Sequence, residues 1–145
     1  MSLFGVFDIA GSGMSAQSVR LNTTASNIAN AQSVSSSVDE TYRARHPVFS
    51  ALMDDEFERD FSEGGVFGAQ GGVSVLGIVE DKSPLQMRYE PHHPMANEEG
   101  YVAYPNVNVV EEMTNMISSS RSFQVNVEVM NTAKTMMQRV LSLGQ

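Results

Sequence analysis

Val109–Leu143 reads VVEEMTNMISSSRSFQVNVEVMNTAKTMMQRVLSL, and this stretch decides the fold. Val109, Met113, Met116, Ser120, Phe123, Val127, Met130, Lys134, Met137 and Leu141 alternate in steps of four and three. That is a heptad a/d pattern with eight of its ten positions apolar. A stripe this narrow and long suits another helix better than a round core. Asn108 is a good N-cap, Glu111 follows three residues later as in a capping box, and Gly144 suits the far end. A helix over 108–143 is roughly 54 Å long at about 1.5 Å per residue. A compact domain of this length has a radius of gyration of only about 14–15 Å.

Burying eight such side chains contributes roughly 12–24 kcal/mol at about 1.5–3 each. Ordering some 36 residues costs about 1–2 kcal/mol per residue in backbone entropy. The helix is therefore marginal until its stripe is covered. Ser120 and Lys134 interrupt the a column, where polar residues set register or partner or lie at the water edge. The many methionines suit both core filling and packing against several non-identical neighbours.

Residues 3–31 hold a second, weaker stripe. Phe7, Met14, Leu21 and Ile28 fall seven apart, with Ala10, Gln17, Thr24 and Ala31 between them. Gly5, Gly11 and Gly13 each cost about 1 kcal/mol relative to alanine, and Ser, Thr and Asn compete by local hydrogen bonding. This helix needs packing to form. Asn27 and Asn30 are expected to bond backbone where it ends.

Between the helices the pattern changes. QSVSSSV at 32–38 reads as a flexible connector. Residues 41–53 alternate partly and include a proline suited to an edge strand. Asp54–Glu63 is acidic and Gly64–Gly72 is a glycine-rich loop. Val73–Val79 is the clearest strand, Asp81–Pro84 a turn, Leu85–Tyr89 the returning strand, and Glu90–Gly100 a loop. The predicted fold is α+β: long N- and C-terminal helices in an antiparallel, coiled-coil-like pair, with a small β-rich middle. Residues 1–38 and 105–145 form a terminal helical assembly domain, and 39–104 a β-rich outer segment.

Charge follows the same division. Both ends are neutral, while residues 39–104 hold thirteen acids and five bases, the whole net charge of −8. This argues against nucleic acid as partner. No apolar run reaches the roughly 18 residues of a membrane span. The first basic residue is Arg20, and no cleaved-signal pattern precedes it.

The glycine cluster lacks a Gly-Lys-Ser/Thr ending and precedes a strand, which fits a loop better than a phosphate cradle. His92 and His93 are adjacent and His46 is remote, with no carboxylate at helical ligand spacing, so no metal site or cofactor is expected. No cysteine is present, and the serines have no convincing base partner. The residues point to an assembly subunit rather than an enzyme.

Thr23–Ser33, TTASNIANAQS, resembles the N-terminal motif of flagellar axial proteins, with Asn27-Ile28-Ala29-Asn30 as its Asn-apolar-Ala-Asn core. Gly100–Gln145 is similar to the C-terminus of the flagellar basal-body rod family, its proximal-rod members above all. MSLFGVFDIAGSGMSAQSVRLN, YRARHPVF and GIVEDKSPLQMRYEPHHP resemble the same family, so the likeness spans nearly the whole chain. Gly5, Gly13 and Phe123-Gln-Val125 depart from it.

The resemblance implies a structural subunit of the bacterial flagellar basal body that assembles helically into the axial drive shaft. The shaft crosses the periplasm, transmits torque and encloses the export channel. The implied partners are rod proteins of the FlgB, FlgF, FlgG and FliE types, copies of the chain itself, and the type III export apparatus, which passes it unfolded without signal cleavage. The expected assembly residues are Phe7, Met14, Leu21, Asn27, Ile28 and Asn30 on the first helix. On the second they are Val109, Met113, Met116, Phe123, Val127, Met130, Met137 and Leu141. The alternative is a soluble coiled-coil adaptor with one specific partner.

Overall fold

The computed structural model describes residues 3–52 and 71–143. The acidic run at Asp54–Glu63, most of the glycine loop and the Gly144 stop lie outside the described residues. The elements in order are α1 (Leu3–Asn30), β1 (Arg45–Leu52), β2 (Gly72–Glu80), β3 (Gln86–Tyr89), β4 (Tyr101–Tyr104) and α2 (Val109–Leu143). A helix at each end and a small strand-built middle make this an α+β fold.

The ends of the helices follow local chemistry. Asn108 Oδ1 accepts the N–H of Val110 at 3.1 Å and of Glu111 at 3.5 Å, and the Asn108 carbonyl accepts the N–H of Glu112 at 2.9 Å. Glu111 and Glu112 place acids in the first turn, where the helix dipole favours them. At the close of α1, Asn30 Nδ2 donates to the Ser26 carbonyl at 2.8 Å.

The strands form two separate two-stranded sheets, β1 with β2 and β3 with β4. The return of Leu85–Tyr89 against the preceding strand is not what forms. β3 instead pairs antiparallel with β4, from Gln86 opposite Tyr104 to Tyr89 opposite Tyr101. The physical reason is the anchoring of the intervening turn. Asp81 N–H donates to the Ala44 carbonyl at 2.7 Å, and Asn106 Nδ2 donates to the Asp81 carbonyl and to Ser83 Oγ. The turn is thus held to Ala44 and Asn106 instead of closing a hairpin on β2.

The β3–β4 connection has its own turn chemistry. Gly100 has φ of 83°, and Asn97 Oδ1 accepts the N–H of Glu99 and Tyr101. Tyr89 and Tyr101 then meet edge to face across the strands, their centroids 5.3 Å apart.

The connector between α1 and β1 holds a chain of serine-anchored turns. Ser33 Oγ donates to the Asn30 carbonyl, Ser35 Oγ accepts from Ser37 N–H, Ser37 Oγ accepts from Asp39 N–H, and Ser35 bridges to Ala103. Such hydroxyl-to-backbone bonds are what Ser offers outside helices.

The chain divides into two compact units. One comprises Met1–Val19, Val48–Gly77 and Ser119–Gln145. Here Ser12 Oγ accepts the N–H of Val73 at 3.1 Å, and Gly13 faces Asn126 so closely that a Cβ would lie 2.9 Å from Asn126 Nδ2. The other comprises Arg20–Pro47 and Ile78–Ser118. Its interior holds Ala44, Val102, Ala103, Pro105 and Val107.

Candidate assembly interface

Asn27 sits in the last turn of α1 and is 0 % exposed. Its Oδ1 accepts the Tyr42 hydroxyl at 2.8 Å and the Arg45 N–H at 2.9 Å. Its Nδ2 donates to the Arg45 carbonyl at 2.8 Å and to Glu112 Oε2 at 3.0 Å. Two lone pairs and two N–H groups are the full capacity of a carboxamide. The backbone partners fix its orientation, because an N–H can only donate and a carbonyl can only accept. Asn27 thereby joins α1, the start of β1 and the first turns of α2.

Asn106 does the same from the other side. Its Oδ1 accepts the Ala44 N–H at 2.8 Å, and its Nδ2 reaches the Asp81 carbonyl at 3.2 Å and Ser83 Oγ at 2.8 Å. With Asp81 N–H on the Ala44 carbonyl, the backbone groups of Ala44 and Arg45 are all paired. The Ser83 N–H and then its hydroxyl hold the Asp81 carboxyl below its ordinary value of 3.8.

The two helices meet at Gly13 and Asn126 in the first unit, and at Arg20 with Asn115 and Asn27 with Glu112 in the second. On α2, Glu112, Ser119 and Ala133 are buried and Asn126 is half-buried, a column seven residues apart. On α1, the buried residues include Ala10, Ala16, Thr23, Thr24 and Asn27. Arg20 Nη2 donates to Asn115 Oδ1 at 2.9 Å. With the Asn27–Glu112 bond, this sets the two helix segments of the second unit running in opposite senses.

The large apolar residues expected at the interface lie beside these columns. Phe7, Met14, Leu21 and Ile28 on α1 are half-buried, as are Met116, Phe123, Val127, Met130 and Met137 on α2. Val109, Met113 and Leu141 are exposed, Met113 by 54 % and Leu141 by 73 %. Asn30 is half-buried and serves its own helix. The Gln17 side-chain oxygen is buried without a hydrogen-bond partner among the described residues.

Hydrophobic periodicity misses Glu112, Asn115, Ser119 and Asn126 because they are polar. For Glu112, Ser119 and Asn126 the signal in the sequence is a seven-residue spacing that Ala133 continues, and Asn115 lies outside it. Tyr42 and Arg45 have no such signal, since nothing local announces a partner fifteen or more residues away.

Among the described residues no three His, Cys, Asp or Glu gather as a metal site. His93 Nδ1 accepts the Met95 N–H at 3.1 Å within its own loop. No described helix is long and apolar enough to cross a membrane.

Two family models match the chain. One, described as "Flagella basal body rod protein", covers residues 7–34, and the other, "Flagellar basal body rod FlgEFG protein C-terminal", covers residues 98–143. Proteins called flagellar basal-body rod protein FlgC are similar over 100 % of both chains. The one from Salmonella typhimurium is 48 % identical, and those from Escherichia coli and Yersinia enterocolitica are each 47 % identical.

Proposed function

Since this chain belongs to the flagellar basal-body rod protein family and is a structural subunit of the basal-body rod, we propose that α1 and α2 are its assembly surfaces. They stack helically against neighbouring subunits as the inner layer around the export channel. The strand-built middle faces outward, and the assembled rod passes torque along its axis. Copies of the chain and other rod proteins are the neighbours. The subunit reaches the periplasm through the flagellar type III apparatus.

The observation that carries this reading is the apolar surface that α2 leaves uncovered. Val109, Met113, Ile117, Val129, Val140 and Leu141 are exposed, while Phe7, Met14, Leu21 and Met130 are half-buried. Exposed apolar residues along a helix are what a subunit offers its neighbours. The soluble adaptor alternative has no such support from relatives, which are rod proteins.

Met113→Asp tests it. Met113 is exposed, so the free subunit keeps its fold and its circular dichroism spectrum. A carboxylate in a desolvated contact between subunits is strongly unfavourable, so cells carrying the variant should be non-motile and lack hooks. Normal swimming by that strain would overturn the role of the seam.

A further inference from the structure

The free edge of a strand is a row of unpaired N–H and C=O groups, and the group that matches it is an extended strand of another chain. β1 with β2 and β3 with β4 are two-stranded sheets, so each described strand has one edge without a strand neighbour. Two of these edges are closed within the chain. On β1 the N–H and the carbonyl of Arg45 both bond Asn27, and Pro47 has no N–H to offer. On β4 Ser35 bridges to Ala103.

The edges of β2 and β3 stay open. Asp81 N–H donates to the Ala44 carbonyl beside β1. Strand residues turn to the two edges alternately, so counting back puts the backbone groups of Ile78 and Leu76 on the side away from β1. Glu90 N–H likewise donates to the Gly100 carbonyl beside β4, which puts those of Tyr89 and Met87 away from β4. α1 reaches the start of β2, where Ser12 Oγ accepts the Val73 N–H. No described residue bonds the backbone of Leu76, Ile78, Met87 or Tyr89 from the open side. β2 also lacks the usual guards of an edge, with neither charge nor proline from Gly72 to Val79. Leu76 is 69 % exposed and Tyr89 65 %, and Ile78 and Met87 are exposed beside them.

We propose that β2 of one copy of this chain pairs antiparallel with β3 of the next copy, Ile78 opposite Met87 and Leu76 opposite Tyr89. Each pair exchanges both its N–H···O bonds, and the four large side chains share one face. β3 is the match because, among the described strands, it alone offers both a second open edge and the apolar side chains. Gly77 then stands opposite Arg88. A Cβ at Gly77 meets nothing within 4 Å in its own chain, so intrachain packing does not require a glycine in the middle of this strand, whereas the arrival of another strand does. Two marginal two-stranded sheets become one of four strands. Two different patches on one chain make a heterologous contact, which repeats into a ring or an open helix instead of closing as a two-fold dimer. The proposal rests on the rod-assembly reading and adds the identity of one contact.

The chain has no cysteine, so a Gly77→Cys, Arg88→Cys double variant introduces the only thiols, at the opposed pair whose side chains lie closest. The cells should swim under reducing conditions, which shows that rods assemble. Mild oxidation of their basal bodies should give a ladder of covalent multimers joined between residue 77 of one copy and residue 88 of another, with none from either single variant. In motile cells, no ladder, a bridge within one chain, or a dimer from Gly77→Cys alone would overturn the contact while leaving rod assembly intact. Should the cysteine strain not swim, a photo-crosslinking residue at Leu76 gives the same decision. A crosslink to residues 86–90 of a second copy supports the contact, and a crosslink to any other peptide, another rod protein's included, overturns it. Ile78→Pro adds a test of the backbone itself, since it removes an outward N–H and leaves the bonds to β1 in place. The purified variant should keep its circular dichroism spectrum while the cells lose motility, and swimming at the normal rate would overturn the pairing.

Discussion

Asn27 spends every hydrogen-bonding position of its side chain on groups that arrive from three other parts of the chain. At about 0.5–1.5 kcal/mol per bond, four bonds are worth roughly 2–6 kcal/mol, and Asn27→Ala also leaves the Glu112 carboxylate buried short of a donor. Urea unfolding of the purified subunit should show a loss in that range. Asn30→Ala, whose bond to Ser26 is exposed, should change stability by less than about 0.5 kcal/mol. Equal effects would remove the distinction between a clamp and an end cap. The motif around Asn27 was legible in the sequence, and so was its position at the close of a helix. Its partners were not, because Tyr42, Arg45 and Glu112 come to it only through tertiary packing. Asp81 gives a pH test at the same scale. Its folded value is depressed, so its contribution is complete above the ordinary 3.8 and is lost as pH falls through the lower folded value. An NMR titration should place the Asp81 midpoint below 3.8. Ser83→Ala should raise that midpoint only part of the way, since the backbone N–H, the larger cause, remains.

Periodicity placed both helices and β2 with bounds close to those observed, because long amphipathic runs and a nine-residue strand are strong local signals. β4 was missed because Tyr-Val-Ala-Tyr is four residues long and buries Val102 and Ala103 consecutively. Successive strand residues point to opposite faces, so a strand covered on both sides shows no alternation. Its turn was legible only as a loop containing Gly100. That glycine is a conformational requirement: φ is 83°, and a Cβ would lie 2.9 Å from Tyr89 Cε2. Gly100→Ala should therefore cost about 1–2 kcal/mol from the left-handed backbone alone, read by urea unfolding. An unchanged midpoint would mean the turn tolerates another backbone form. Gly13 is a glycine for a different reason, the approach of Asn126. A better helix former there has to displace an amide side chain, which explains a residue that weakens α1 by propensity alone.

Across the whole molecule the two units differ in what they bury. The largest fully buried side chains of the second unit are Val102, Asn27 and Pro105, whereas the first unit contributes Ser119. Its other buried residues, among those described, are Ala10, Ala16, Ala133 and Gly5. Burial of alanine-sized groups contributes little at about 25 cal/mol per Å², while each ordered residue still costs about 1–2 kcal/mol. The first unit should therefore open first in the dilute subunit. Trypsin reads this directly: Arg121, Lys134 and Arg139 lie on the first unit's part of α2, and Arg43, Arg45 and Arg88 lie in the second unit. In dilute solution cleavage should occur after Arg121, Lys134 and Arg139 well before Arg43, Arg45 or Arg88, and assembled basal bodies should protect all six. Equal resistance at both sets in the isolated subunit would show that the first unit is stable alone. The exposed apolar residues of α2 would then be an ordinary surface, not one completed by its neighbours.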